Sequence, residues 1–84
     1  MQPQIGRFVC AALVGRKGER GKIIQGVVIH IGAKFIKIRT VGDEPRTYHC
    51  SKRVETVKDS YLREDTLREV KQIREQLKRQ QLRQ

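Results

Sequence analysis

Apolar and polar positions divide the chain near residue 56. Before it, apolar residues fall in short, β-branched, glycine-punctuated runs; after it there is no glycine or proline, and Leu, Gln, Glu, Lys and Arg dominate. The shift is from strand chemistry to helix chemistry. Four runs read as strands. Arg7–Val14 is apolar on both faces, as a strand packed on two sides would be, and Lys22–Ile31 is long and rich in Val and Ile. Lys34–Val41 alternates, with Ile36, Ile38 and Thr40 facing one way and Lys37 and Arg39 the other. Arg46–Ser51 sets Tyr48 and Cys50 against Thr47 and His49. Gly32 and Ala33 fit a tight hairpin between the second and third runs, and Gly42 to Pro45 separates the third from the fourth. Gly26 interrupts a strand interior, the mark of a bulge or a barrel corner.

Residues 52–58 supply a short fifth strand through Val54 and Val57. Five short antiparallel strands are poorly stable as an open sheet at this size, and closing them into a barrel removes the exposed edges. The expected fold is therefore mostly β: a five-stranded antiparallel barrel over residues 1–57, with residues 58–84 adding a connection and one amphipathic helix to the same single domain. In that helix Leu67, Val70, Ile73 and Leu77 form a narrow apolar stripe. Asp65 or Thr66 is the expected N-cap, and Thr66 to Glu69 matches a capping box. Residues 65–83 would span about 28 Å. The stripe either closes one end of the barrel or meets a partner.

Charge changes this picture most. Nineteen Lys and Arg face nine Asp and Glu, a net charge of +10 on 84 residues. Up to residue 56 there are eleven cations against Glu19, Asp43, Glu44 and Glu55, and no acid lies between Lys22 and Thr40. Ordinary surfaces interleave the two signs. Such segregation points to a polyanion as partner. No apolar stretch is long enough to cross a membrane, and no secretory signal is visible, so a cytoplasmic location is expected. Cys10 and Cys50 read as free thiols. A disulfide framework needs more cysteines at closer spacing. A zinc site of Cys10, His30, His49 and Cys50 lacks any C-x-x-C pair, and neighbouring His49 and Cys50 point to opposite strand faces.

The stretch Gln25 to Arg39, QGVVIHIGAKFIKIR, resembles the central hairpin of SH3-like small β-barrels, including KOW-type modules. A barrel followed by Tyr48, His49, Cys50 and a charged C-terminal helix is similar to small barrel proteins encoded by bacteriophages. The resemblance covers about residues 5–57, and it implies an SH3-like fold and binding rather than catalysis; for a phage protein, the location would be the host cytoplasm. Where KOW modules carry a glycine-centred loop, this chain has a longer, more basic one at Gly15–Gly21.

That loop presents Arg16, Lys17, Arg20 and Lys22. It is not a Walker A loop, because Arg16 stands where the first glycine belongs and Ile23 replaces the magnesium-binding hydroxyl. Flexible glycine amides and cations suit phosphates instead. A second cationic set comprises Lys37 and Arg39, flanked by Lys34 and Arg46, and Phe35 is the one aromatic that alternation places among them. Lys71, Arg74 and Lys78 extend the set onto the helix. His30 in an apolar strand reads as a core or edge histidine, and neither histidine has a nearby partner forming a base–nucleophile pair. The sequence thus predicts a non-enzymatic module with no cofactor, metal or small-molecule substrate. Its expected partner is nucleic acid, RNA ahead of DNA, or a nucleoprotein complex, bound mainly through phosphates. The rival expectation is a phage-encoded inhibitor or regulator that docks on an acidic surface of a host polymerase or CRISPR effector.

Overall fold

The computed structural model describes residues 2–14 and 21–82. Its strands are β1 (Phe8–Leu13), β2 (Ile23–Ile31), β3 (Ile36–Arg39) and β4 (Thr47–Thr56). A 3-10 turn (Asp59–Tyr61) and helix α1 (Glu64–Leu82) complete the order. Each strand pairs antiparallel with the next, and β4 returns to β1 to close a barrel.

The barrel has four strands, not the expected five, because residues 46–51 and 52–58 do not separate. One ten-residue strand, β4, pairs with β3 from Thr47 to Cys50 and with β1 through Cys50 and then Val54 to Thr56. Between the pairs Leu13↔Cys50 and Ala11↔Val54, one residue of β1 faces three of β4. The excess bends β4, and the Ser51 hydroxyl accepts the Arg53 N–H at 3.2 Å within the bend. With no Gly or Pro at 51–53 to end the strand, a bulge turns the corner instead. The third run is also shorter than expected. Gly32 N–H donates to the Phe35 carbonyl at 2.8 Å, which leaves Lys34 and Phe35 in the turn rather than on β3.

Inside the barrel Val9, Ala11, Val28, Ile36, Ile38 and Cys50 are buried, with Ile24, Tyr48 and Val54 packed against them. The alternation read from β3 and β4 holds here. Gly26 also faces this interior. A Cβ on it would lie 2.4 Å from the Arg39 carbonyl oxygen, so β2 and β3 approach too closely there for any side chain.

A second cluster forms outside the barrel wall. Phe8 and Val27 are register partners whose neighbours Val9 and Val28 point inward, so they point outward. They pack against Val70 and Ile73 of α1, with Ile29, Val57, Leu62 and Leu77 around them. The helix therefore lies on the outer wall of β1 and β2 and does not close a barrel end. This accounts for the apolar outward residue of β1 at Phe8. Each fully buried aliphatic in the cluster stabilises the fold by about 1.5–3 kcal/mol before ordering entropy is set against it.

The helix begins at Glu64, one or two residues before the expected caps, and the Asp65 carboxylate accepts the Thr66 N–H at 2.8 Å. The capping box is not formed. Glu69, its expected acidic member, instead accepts the Gly42 N–H at 2.6 Å and ties the β3–β4 turn to α1. Gly42 holds φ at +118°, a left-handed conformation that favours glycine. Cys50 is fully buried, and burial raises its thiol pKa; Cys10 is half-buried and pairs with Gln25 and Glu55 on the outward side of β1.

Candidate nucleic-acid interface

The functional geometry starts from a one-residue irregularity in β2. Val28 pairs with Ile38, but His30, not Ile29, pairs with Lys37. The extra residue reverses the facing of the rest of the strand. In an unbroken register His30 would oppose buried Ile36 and point into the barrel. With the bulge it opposes Lys37 and is exposed. Lys37 in turn pairs with His49 on β4, so His30, Lys37 and His49 form an exposed row across three adjacent strands. Direct cross-strand neighbours stand about 4.5–5.5 Å apart at Cβ.

Phe35 reaches this row from the turn. Its ring meets the His49 imidazole edge-on, with centroids 6.5 Å apart and an interplanar angle of 86°, and 42% of the residue stays exposed. Lys34 is exposed beside it in the same turn. Val14 N–H donates to the His49 carbonyl at 3.0 Å, and Leu13 N–H to the Lys22 carbonyl at 2.7 Å. The stem of the basic loop, Val14 on one side and Gly21–Lys22 on the other, is thereby fastened next to the His49 row. Arg16, Lys17 and Arg20 lie outside the described residues.

The remaining predicted cations separate. Arg39 is half-buried one register step along, opposite Val27 and Thr47, and enters clefts shared with Ile73, Gln76 and Gln80 of α1. Arg46 is exposed and sits 3.7 Å from Glu44, which offsets its charge. Lys71 and Lys78 are exposed on α1. Arg74 has a different role. Its Nε donates to the Gly6 carbonyl at 2.6 Å, and its Nη1 and Nη2 donate to Asp59 Oδ2 and Oδ1 at 2.7 and 2.9 Å. The hydrogen bonds from the guanidinium hold the Asp59 carboxyl below the usual carboxylate range, against a smaller opposing effect of burial. Arg74 thus clasps the N-terminal segment, the β4–α1 connection and the helix together, and it leaves the proposed binding set.

Lys34, Lys37 and Arg39 have no ion-pair partner among the described residues, whereas Arg46, Arg63 and Arg74 do. Sequence reasoning placed His49 outward but missed His30, because only the bulge at Ile29 exposes it. Comparison with protein-family models, with curated proteins and with solved structures finds no match. No helix among the described residues is long and apolar enough to cross a membrane.

Proposed function

We propose that the protein is a non-catalytic nucleic-acid-binding barrel, directed to RNA ahead of DNA, that holds its partner mainly by the phosphate backbone. The observation that carries this reading is the outward face of β2, β3 and β4, where Lys34 and Lys37 stand beside Phe35, His30 and His49 with no acid paired to them among the described residues. Like-charged side chains on one face repel in the free protein and are relieved when phosphates replace their counterions. The stem of the basic loop is fastened to the His49 carbonyl through Val14 N–H. The kinship with SH3-like, KOW-type barrels belongs to this proposal and is supported by the four-strand meander closed through a bent last strand.

With four to six phosphates neutralised, affinity for an RNA oligomer falls by roughly 10²–10³ between about 50 and 200 mM salt. Titration by fluorescence anisotropy across that range tests the reading. Binding that ignores salt refutes the electrostatic mechanism.

One feature favours the rival, a regulator that binds a host protein. A groove lined by Ile5, Gly6, Arg7, Arg74, Leu77 and Lys78 combines exposed apolar surface with cations, which suits an acidic, partly apolar segment. Affinity capture from host lysate separates the two readings. A stoichiometric protein that survives nuclease treatment supports the rival; a complex dispersed by nuclease supports nucleic acid.

A further inference from the structure

The phosphate-binding reading leaves open what the two histidines and Phe35 add to the face. We infer that His30, Lys37, His49 and Phe35 form a subsite for one nucleotide of a single strand, with the phosphodiester over Lys37 and the base against Phe35. The inference rests on the nucleic-acid reading and specifies its ligand.

The register gives the phosphate position. Lys37 is the central member of the row, and an imidazole stands on each side of it, His30 from β2 and His49 from β4. A neutral imidazole donates one N–H, whereas an imidazolium donates two and carries a full charge. Protonation of both rings therefore raises the charge of the row from one to three without moving the backbone. The groups beside it are Lys37 itself on β3 and Lys34 and Phe35 in the β2–β3 turn; Lys22 at the loop stem, opposite Leu13, follows the inward register of Ile24. The nearest acids by chain position are Glu19 in the basic loop, outside the described residues, Asp43 and Glu44 in the turn beyond Arg39, and Glu55 opposite Cys10 on β1. An anion is the ligand that relieves such a row.

Phe35 gives the base position and the strandedness. Its ring contacts His49 edge-on, so the pair forms an L-shaped aromatic corner beside the row. An unpaired base has a free π-face to lay against such a ring. A duplex keeps its bases stacked inside and offers only phosphates. Single strands should therefore engage both halves of the subsite and duplexes only one.

The test uses the full chain and a labelled uridine oligomer of about a dozen nucleotides without terminal phosphate, its bases uncharged over the range measured, together with a duplex of equal length. At constant ionic strength, affinity for the single strand should rise about tenfold from about pH 8 to about pH 5.5, and the salt slope should steepen by about one. His30→Gln with His49→Gln should keep its circular dichroism spectrum and lose the pH dependence, binding no more tightly at the lower pH than at the upper. Phe35→Leu should retain salt-dependent binding but lose the preference for the single strand. A pH dependence that survives in the histidine double variant, or equal binding of single strand and duplex by the unaltered protein, overturns the subsite while leaving phosphate binding in place. Failure of the protein to bind either oligomer at low salt overturns the proposed function itself.

Discussion

The outward face of β2, β3 and β4 and the helix α1 both carry cations, but they use charge in opposite ways. From Glu64 to Leu82 the helix holds five cations and four acids, interleaved along its length. Its half-buried cation, Arg74, is closed onto Asp59 and the Gly6 carbonyl. Among the described residues Arg74 is the helix cation held in an ion pair, and that pair fastens the helix. The sheet face leaves Lys34 and Lys37 unpaired among the described residues and adds two histidines on either side of Lys37. Residue type alone does not separate the two: Arg74 and Lys37 count equally toward net charge, and only their neighbours show that one is paired within the fold while the other is unpaired among the described residues.

Experiments that remove one region at a time test this division. The largest effect is expected from truncation after Glu64, which deletes Val70 and Ile73 from the outer cluster and uncovers Phe8 and Val27. Losing two buried aliphatics costs about 3–6 kcal/mol, a large share of a small domain's stability. The shortened chain should be molten or insoluble, as read by near-ultraviolet circular dichroism. A folded barrel that still binds RNA would show that the helix is dispensable for cohesion.

Gly26→Ala comes next. Its methyl would meet the β3 backbone at Arg39, which cannot withdraw as a flexible side chain can, and a loss of about 1–3 kcal/mol is expected in chemical denaturation. Full stability in this variant would mean that β2 and β3 can separate without penalty.

The contrast between sheet face and helix is tested by two charge reversals. Lys34→Glu with Lys37→Glu should weaken RNA binding at least about tenfold and lower the salt slope by about two, with the melting temperature unchanged. Lys71→Glu with Lys78→Glu should weaken it by less than about threefold, since acids and cations are interleaved along the helix. Equal losses from the two pairs would erase the distinction.

The smallest effect concerns the clasp. Asp59→Asn should cost about 1–2 kcal/mol near neutral pH and leave RNA affinity unaltered, the pair being partly exposed. Because the Asp59 pKa is lowered in the fold, its contribution is complete above the ordinary carboxylate range and is lost as pH falls through the lowered value. The stability difference between the two proteins should therefore shrink toward zero in strong acid. A difference that stays constant with pH would assign the loss to packing instead.

The strands, the inward set Ile36, Ile38, Tyr48 and Cys50, and the helical stripe were legible because side-chain alternation and helical spacing are local. The strand count was not. Whether residues 46–58 form two strands or one depends on a bulge at residues 51–53, and a bulge is fixed by the neighbour β1, about forty residues away in sequence. The same cause hid His30, whose facing depends on the extra residue Ile29. Arg74 and Glu69 were misread for a related reason. A helical cation and an acid in capping position have the same sequence signature whether their partner lies in the helix or across the fold. Phe35 was placed on the correct side but in the wrong element, since the turn carries it to His49.

The shared strand β4 has a consequence for how the chain acquires its structure. The pairings β1–β2, β2–β3 and β3–β4 join neighbours in sequence, so each can form by local search. Closure requires Val9 to find Thr56 and Ala11 to find Val54, and a long intervening chain must be ordered before that pairing is rewarded. Such non-local closure sets folding rates in small β domains. Substitutions at Val9 or Val54 should therefore slow folding, whereas those at Val70 or Ile73, which dock on a wall already built, should chiefly accelerate unfolding.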